Sequence, residues 1–165
     1  MKFDTEDLLE NVLAVMTTGD ALNLKIAAIE VEKAAKGQGL APEQKQIPTN
    51  GYYQQTWSDK ILNTSPAIFY GIEDVQSVDG GGALAKIYKI FIEVVYVDNG
   101  MTNDVHKRIA RYSRALEELF QENKMPKVPY SEIKIDSVRP ISFKLELDSD
   151  EEIKVGGITL TIALF

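Results

Sequence analysis

Hydrophobic and polar positions change period several times along this chain, and residues 85–131 carry the clearest pattern. In Ile87-Tyr88-Lys89-Ile90-Phe91-Ile92-Glu93-Val94-Val95-Tyr96-Val97 every even position is Tyr, Ile or Val, whereas the odd positions mix Lys89 and Glu93 with apolar residues. A period of two predicts a strand with one wholly apolar face and one partly solvated face. Asp98-Asn99-Gly100, residues that tolerate positive φ, end it. Thr102, Asn103 or Asp104 is then placed to cap a helix in which Val105, Ile109, Tyr112, Leu116 and Leu119 recur at spacings of four, three, four and three.

Two helices are predicted before this unit. Leu8, Leu9, Val12, Leu13 and Met16 share one side of residues 5–16, with Asp4 or Thr5 as the cap. After Thr18-Gly19-Asp20 a second helical pattern runs over 21–36, with Leu24, Ala27, Ala28, Ile29 and Val31 apolar and Gly37 placed to stop it. Its alanine-rich surface suits close packing. From 37 to 65 no period holds, and Gly39, Pro42, Pro48, Asn50 and Gly51 punctuate the stretch. A loop of this length in a small domain is functional or orders against something else. It carries Tyr52, Tyr53 and the sole tryptophan, Trp57, which suit a protein interface; the alternative is a loop folded back over its own core.

Residues 66–78 read as a strand with Gly71 as a candidate bulge, joined through Asp79-Gly80-Gly81-Gly82 to the central strand as an antiparallel hairpin. After the central helix, 132–138 alternates briefly. Past Pro140, Ile141, Phe143, Leu145 and Leu147 alternate with Ser142, Lys144 and Glu146. An acidic turn over 148–152 leads to a last strand, with Ile153, Val155, Ile158, Leu160, Ile162 and Leu164 interrupted by Gly156-Gly157. This order predicts one α+β domain over 1–165: N-terminal helices (1–36), the long loop (37–65), and the sheet with its central helix (66–165). The sheet is expected to be antiparallel or mixed, of about four strands, with the helices packed on one face.

Composition narrows the function. At 165 residues and 44% hydrophobic, the chain suits one core rather than two domains. The absence of cysteine excludes a disulfide framework and thiolate zinc sites, and fits a reducing compartment. The acidic start does not read as a secretory signal, and no apolar run looks long enough to span a membrane. A net charge of -7 and a pI near 4.8 argue against tight binding to a phosphate backbone. Lys107, Arg108, Arg111 and Arg114 on the central helix read as a solvated face or as an ion-pairing surface for a partner subunit.

Reactive chemistry is sparse. Gly80-Gly81-Gly82 lacks the Gly-Lys-Ser/Thr and the helix start of a phosphate loop, His106 has no second ligand beside it, and the acidic turn lacks calcium-loop spacing. The sharpest enzymatic pattern is Glu132-Ile133-Lys134 with Glu152-Ile153-Lys154: a carboxylate and a lysine on one strand face, as a metal-dependent nuclease needs, with Asp74 or Asp98 to complete it. Any half-exposed strand has the same look, and the acidic charge opposes a DNA substrate. No catalytic residue, cofactor or metal is expected, and the chain reads as no enzyme; a nuclease or small ligand-binding domain is the alternative.

Ala110-Arg111-Tyr112-Ser113-Arg114-Ala115-Leu116, with Ser137-Val138-Arg139-Pro140 and then Gly156-Gly157-Ile158-Thr159-Leu160-Thr161-Ile162, resembles the tail terminator and tail completion proteins of tailed bacteriophages. The likeness covers most of the chain from about Pro66 onward and the N-terminal helices more loosely. It implies a structural virion protein: a homo-oligomer, usually a hexameric ring, that caps the tail tube at the head-proximal end after assembly in the host cytoplasm. Its implied partners are the tail tube protein, a neck or head-completion protein and a tail sheath protein, with DNA passing through the lumen unbound and no membrane involved. A different head–tail connector or neck protein is the neighbouring alternative. The residues singled out for contacts are Tyr52, Tyr53, Trp57, Asp79, Gly80, Gly81, Arg108, Arg111 and Arg114.

Overall fold

The computed structural model describes residues 4–41, 44–57, 65–79, 84–98, 104–123, 131–144 and 152–164. Helices α1 (Thr5–Thr17) and α2 (Ala21–Ala35) come first, joined by a 3-10 turn (Thr18–Asp20). Strands β1 (Tyr52–Tyr53), β2 (Ala67–Asp79) and β3 (Leu84–Asp98), helix α3 (Val105–Glu122), and strands β4 (Ser131–Lys144) and β5 (Glu152–Leu164) follow. The fold is α+β. Its five-stranded mixed sheet has the order β1-β2-β3-β5-β4, with β1 parallel to β2 and the other neighbours antiparallel. The extra strand relative to expectation is the two-residue β1, from the stretch read as a loop.

Local chemistry explains the helix ends. Asp4 accepts from the Asp7 N–H at 3.0 Å while its own N–H donates to the Asp7 carboxylate at 3.1 Å, a reciprocal box that satisfies two orphan donors. At the end of α2, Gly37 takes a φ of 72°; its N–H donates to Ala34 and that of Gln38 to Lys33, a Schellman closure. Asp104 precedes α3 with a φ of 67° and makes no side-chain cap, its carbonyl instead accepting the Arg108 N–H. Thr102 and Asn103, the other proposed caps, lie outside the described residues, as do Gly80, Gly81 and the acidic turn before Glu152.

Residues Thr5–Ala35 together are long and apolar enough, by length and composition, to cross a membrane, with a mean hydropathy of 1.4 over the best window. That corrects the expectation that no such run exists. In the structure the run is two separate helices. Gly19 and Asp20, both with left-handed φ, break the run, and Leu8, Leu9, Val12, Met16, Leu22, Ile26 and Ile29 are buried in the core.

The main core lies between the helices and one sheet face. Tyr88, Ile90, Ile92, Val94 and Tyr96, the predicted apolar face of β3, meet Ile109, Tyr112, Leu116 and Leu119 of α3 there, with Ile158, Leu160 and Ile162 of β5. α3 crosses β5 at Gly156 and Gly157. A Cβ on Gly156 would stand 2.5 Å from Ile109 Cγ2 and 2.9 Å from Ser113 Oγ, so only glycine lets the helix come this close. Ser113 Oγ donates to the Ile109 carbonyl and accepts the buried Gly157 N–H at 2.9 Å. Gly157 has a φ of 130°, and a Cβ there would fall on the Ile92 carbonyl.

Gly71 is not the bulge. The register slips between Ile72 and Asp74, and Gly71 instead faces Phe91, whose ring occupies the space a Cβ would need. The two segments flanking Pro140 form one strand, β4, whose register slips between Val138 and Ile141.

Gly157→Ala combines a strained φ with a backbone clash and is expected to lower stability by about 1–3 kcal/mol. Ser113→Ala orphans a buried N–H and is expected to cost about 1–3 kcal/mol. Urea unfolding midpoints measure both, and unchanged midpoints would remove the α3–β5 crossing from its structural role.

Candidate functional site

The segment after α2 is held by side chains rather than by a ladder. Asn23, buried on α2, grips both polar groups of Ile47: its Nδ2 donates to the Ile47 carbonyl at 2.9 Å, and its Oδ1 accepts the Ile47 N–H at 2.7 Å. Tyr112 donates its hydroxyl to the Lys45 carbonyl, Gln44 Nε2 donates to the Arg108 carbonyl, and Arg111 donates to the Gln38 carbonyl. A buried loop must find partners for its backbone groups, and here α2 and α3 supply them. Leu40 and Ile47 can then be buried. Residues 38–41 and 44–53 therefore follow the alternative stated for this loop, folding back over the protein's own core.

The arginines of α3 take part in that closure. Arg111 is 6% exposed and pairs with Glu30 of α2 at 2.8 Å. Arg114 pairs with Glu32 of α2 and with Glu118, and Arg108 is 1% exposed. The expected solvated face is thus corrected for Arg108 and Arg111, which lie inside the protomer. The reason is helical spacing: Arg108 stands four residues before Tyr112, on the side that packs. Arg114 and then Lys36 draw the Glu32 carboxyl down to about 2, and Glu32 in turn raises the Arg114 pKa. Burial raises Tyr52 to about 12 and pushes Tyr112 up as well.

Ala67, Phe69, Val95, Ile153 and Val155 form a second, smaller cluster on the sheet face away from the helices. Tyr53 stacks on Phe69 with ring centroids 5.0 Å apart, and Trp57 and Phe91 pack against the same cluster. Tyr52 packs against the main core instead. The three loop aromatics thus straddle the edge of the sheet at β1, half-buried on their own protein. Asp79 is exposed at the end of β2.

Two sheet edges remain open among the described strands. β1 covers β2 only at Ile68 and Phe69, and β4 pairs with β5 alone. Residues 73–79 are all exposed, including Val75 at 44% and Val78 at 42%. On α2, Leu24 and Val31 are also exposed, Val31 beside a groove of about 350 Å³ lined in part by Ile26, Leu40 and Gln44.

The first nuclease pattern, at Glu132 and Lys134, does not converge with either aspartate. Asp74 and Glu132 stand on opposite sides of the sheet with β3 and β5 between, roughly 14 Å at about 4.8 Å per strand. Asp98 lies on the order of 35 Å along the strands from Glu132, but it pairs in register with Glu152, so the second pattern has its aspartate beside its glutamate at the far end of the sheet. Among the described residues no group of three or more His, Cys, Asp or Glu is placed to hold a metal, and His106 is exposed. The chain matches no protein-family model and no curated protein sequence.

Sequence reasoning missed the loop's clasps, and it expected exposed strand edges for ring closure without placing them on particular strands. Asn23, a polar residue between Leu22 and Leu24 at helical spacing from Ile26, was the readable signal for the first. The second depends on strand order.

Arg111→Met leaves Glu30 and the Gln38 carbonyl without their donor and is expected to cost roughly 3 kcal/mol, measured as a lowered melting temperature. Tyr52 and Tyr112 hold their protons more tightly folded than unfolded. Their stabilisation is whole below about pH 10 and lost as pH rises through 12. Alkaline unfolding that shifts upward in Tyr112→Phe, measured by circular dichroism, is the expected result; an unchanged profile would contradict the assignment.

Proposed function

We propose that this chain is a structural virion protein of the tail terminator kind, which associates with copies of itself into a ring that caps a tail tube and presents a surface to the neck. The observation that carries this reading is the pair of edges that the described residues leave open on one sheet. A closed ring needs a head-to-tail interface in which two different patches of one protomer meet, and a sheet open on both sides offers two different patches of unpaired backbone groups. Two of the three segments that carry the resemblance, residues 110–116 and 156–162, are those through which α3 seats on β5. In this reading they build the protomer, while the edges join protomers.

The charge fits a conduit. A net charge of -7 with the α3 arginines turned to internal carboxylates leaves a surface that repels phosphate, so a DNA strand threads a ring of such subunits without adhering. Tyr53 and Trp57, stacked over the second cluster but still half-exposed, offer rigid contact area to the tube end.

Tail tube protein polymerising in the presence of this chain is expected to give short tubes with a ring at one end under the electron microscope. Tubes that elongate as in its absence and carry no terminal density would overturn the reading.

A further inference from the structure

The two open edges match one another in level, direction and side chains. With β3 as a ruler, Val75 lies opposite Tyr88, which lies opposite Ile162, which lies opposite Ile133. By the same count Asp74 shares a level with Lys134 through Lys89 and Thr161, and Ile72 with Ile135 through Ile90 and Leu160. The unobstructed part of β2, beyond the two residues that β1 covers, therefore lies at the same end of the sheet as residues 131–138 of β4. Those are the regular part of β4; past them the register slips and Pro140 has no N–H to offer.

Direction follows from the pairings. β2 and β5 run one way, β3 and β4 the other. A second copy laid beside the first in the same orientation brings its β4 against β2 as an antiparallel neighbour, the better-bonded arrangement.

We infer that protomers join edge to edge, residues 131–135 of one copy adding antiparallel to residues 72–77 of the next, with Ile133 beside Val75, Ile135 beside Ile72 and Lys134 beside Asp74. This deepens the ring-forming reading above and rests on it. The occupant is a second copy because the pairing is self-complementary across the chain. On the helix side it covers Val75, which is 44% exposed, with the half-buried Ile133. On the other side it sets the one cation of the β4 segment against a carboxylate. Lys134 is exposed and only loosely engaged, 3.6 Å from Asp136, and Asp74 accepts from Gln76. Both are available at small cost. The two-fold alternatives are poorer. β2 against β2 sets Glu73, Asp74 and Asp79 against the same three acids with no cation, and β4 against β4 leaves Val75 uncovered.

The chain has no cysteine, so each introduced thiol is unique. Asp74→Cys and Lys134→Cys, both on exposed positions, are purified separately, mixed and oxidised. The expected result is a covalent dimer in the mixture and none from either variant alone, with a covalent ladder from the double variant. A dimer from Lys134→Cys alone would overturn the inference in favour of a two-fold contact, and so would absence of any cross-link. Capped tubes without cross-links would reject this pairing and leave the ring reading standing; cross-links without capping would reject the ring reading and leave the pairing.

Discussion

Everything in this structure hangs on how closely α3 approaches β5. Gly156 leaves room for Ile109 and Ser113, and Ser113 satisfies the Gly157 N–H that the approach would otherwise strand. Because close-packed interiors tolerate little displacement, this contact sets the height of α3 over the sheet. That in turn decides what its far side can reach. Arg111 and Arg114 meet Glu30 and Glu32 on α2, while Tyr112 and the Arg108 carbonyl meet the loop. The loop, held by α2 through Asn23 and by α3, then delivers Gly51 to the Ile68 N–H and Tyr53 to the ring of Phe69.

A consequence of that arrangement is the asymmetry of the sheet. Its helix face is covered by three helices, and part of its outer face by the loop aromatics, but the described elements cover little of its two rims. Long open rims invite uncontrolled pairing, and proteins blunt them with charges, bulges and proline. Here the blunting is partial. β2 carries a bulge, Glu73 and Asp74; β4 carries Lys134 and Asp136, then a register slip around Pro140. What remains is a limited stretch on each side, where charge favours one partner and one register over others. A surface of that kind suits ordered self-assembly, and the function proposed for this chain asks for nothing more of it.

Much of the fold was legible in the sequence because it rests on strictly local signals. The alternation of residues 88–96 named the buried face of β3 correctly, Gly37 marked the end of α2, and the hairpin of β2 with β3 followed from the glycine link. The errors have a common source. Gly71 looked like a bulge, yet its lack of a side chain serves a residue on the neighbouring strand. Arg108 and Arg111 looked solvated, since nothing in their charge shows that α2 would bring Glu30 across. Residues 38–41 and 44–53 looked irregular because their bonds run to Asn23, Arg111, Tyr112 and the Arg108 carbonyl, groups on α2 and α3 distant in the chain. Exposed rims were expected of a chain that closes a ring, but which strands carry them was not legible, since no single strand reveals its place in the order.

The most direct measure of the central claim, that the protein works through its sheet rims, is amide hydrogen exchange followed from dilute protein to the assembled state. Residues 72–77 and 131–135 should slow together on assembly, while the amides of α2 and α3 keep their rates. Assembly that leaves both rims exchanging as fast as in dilute solution would contradict the account.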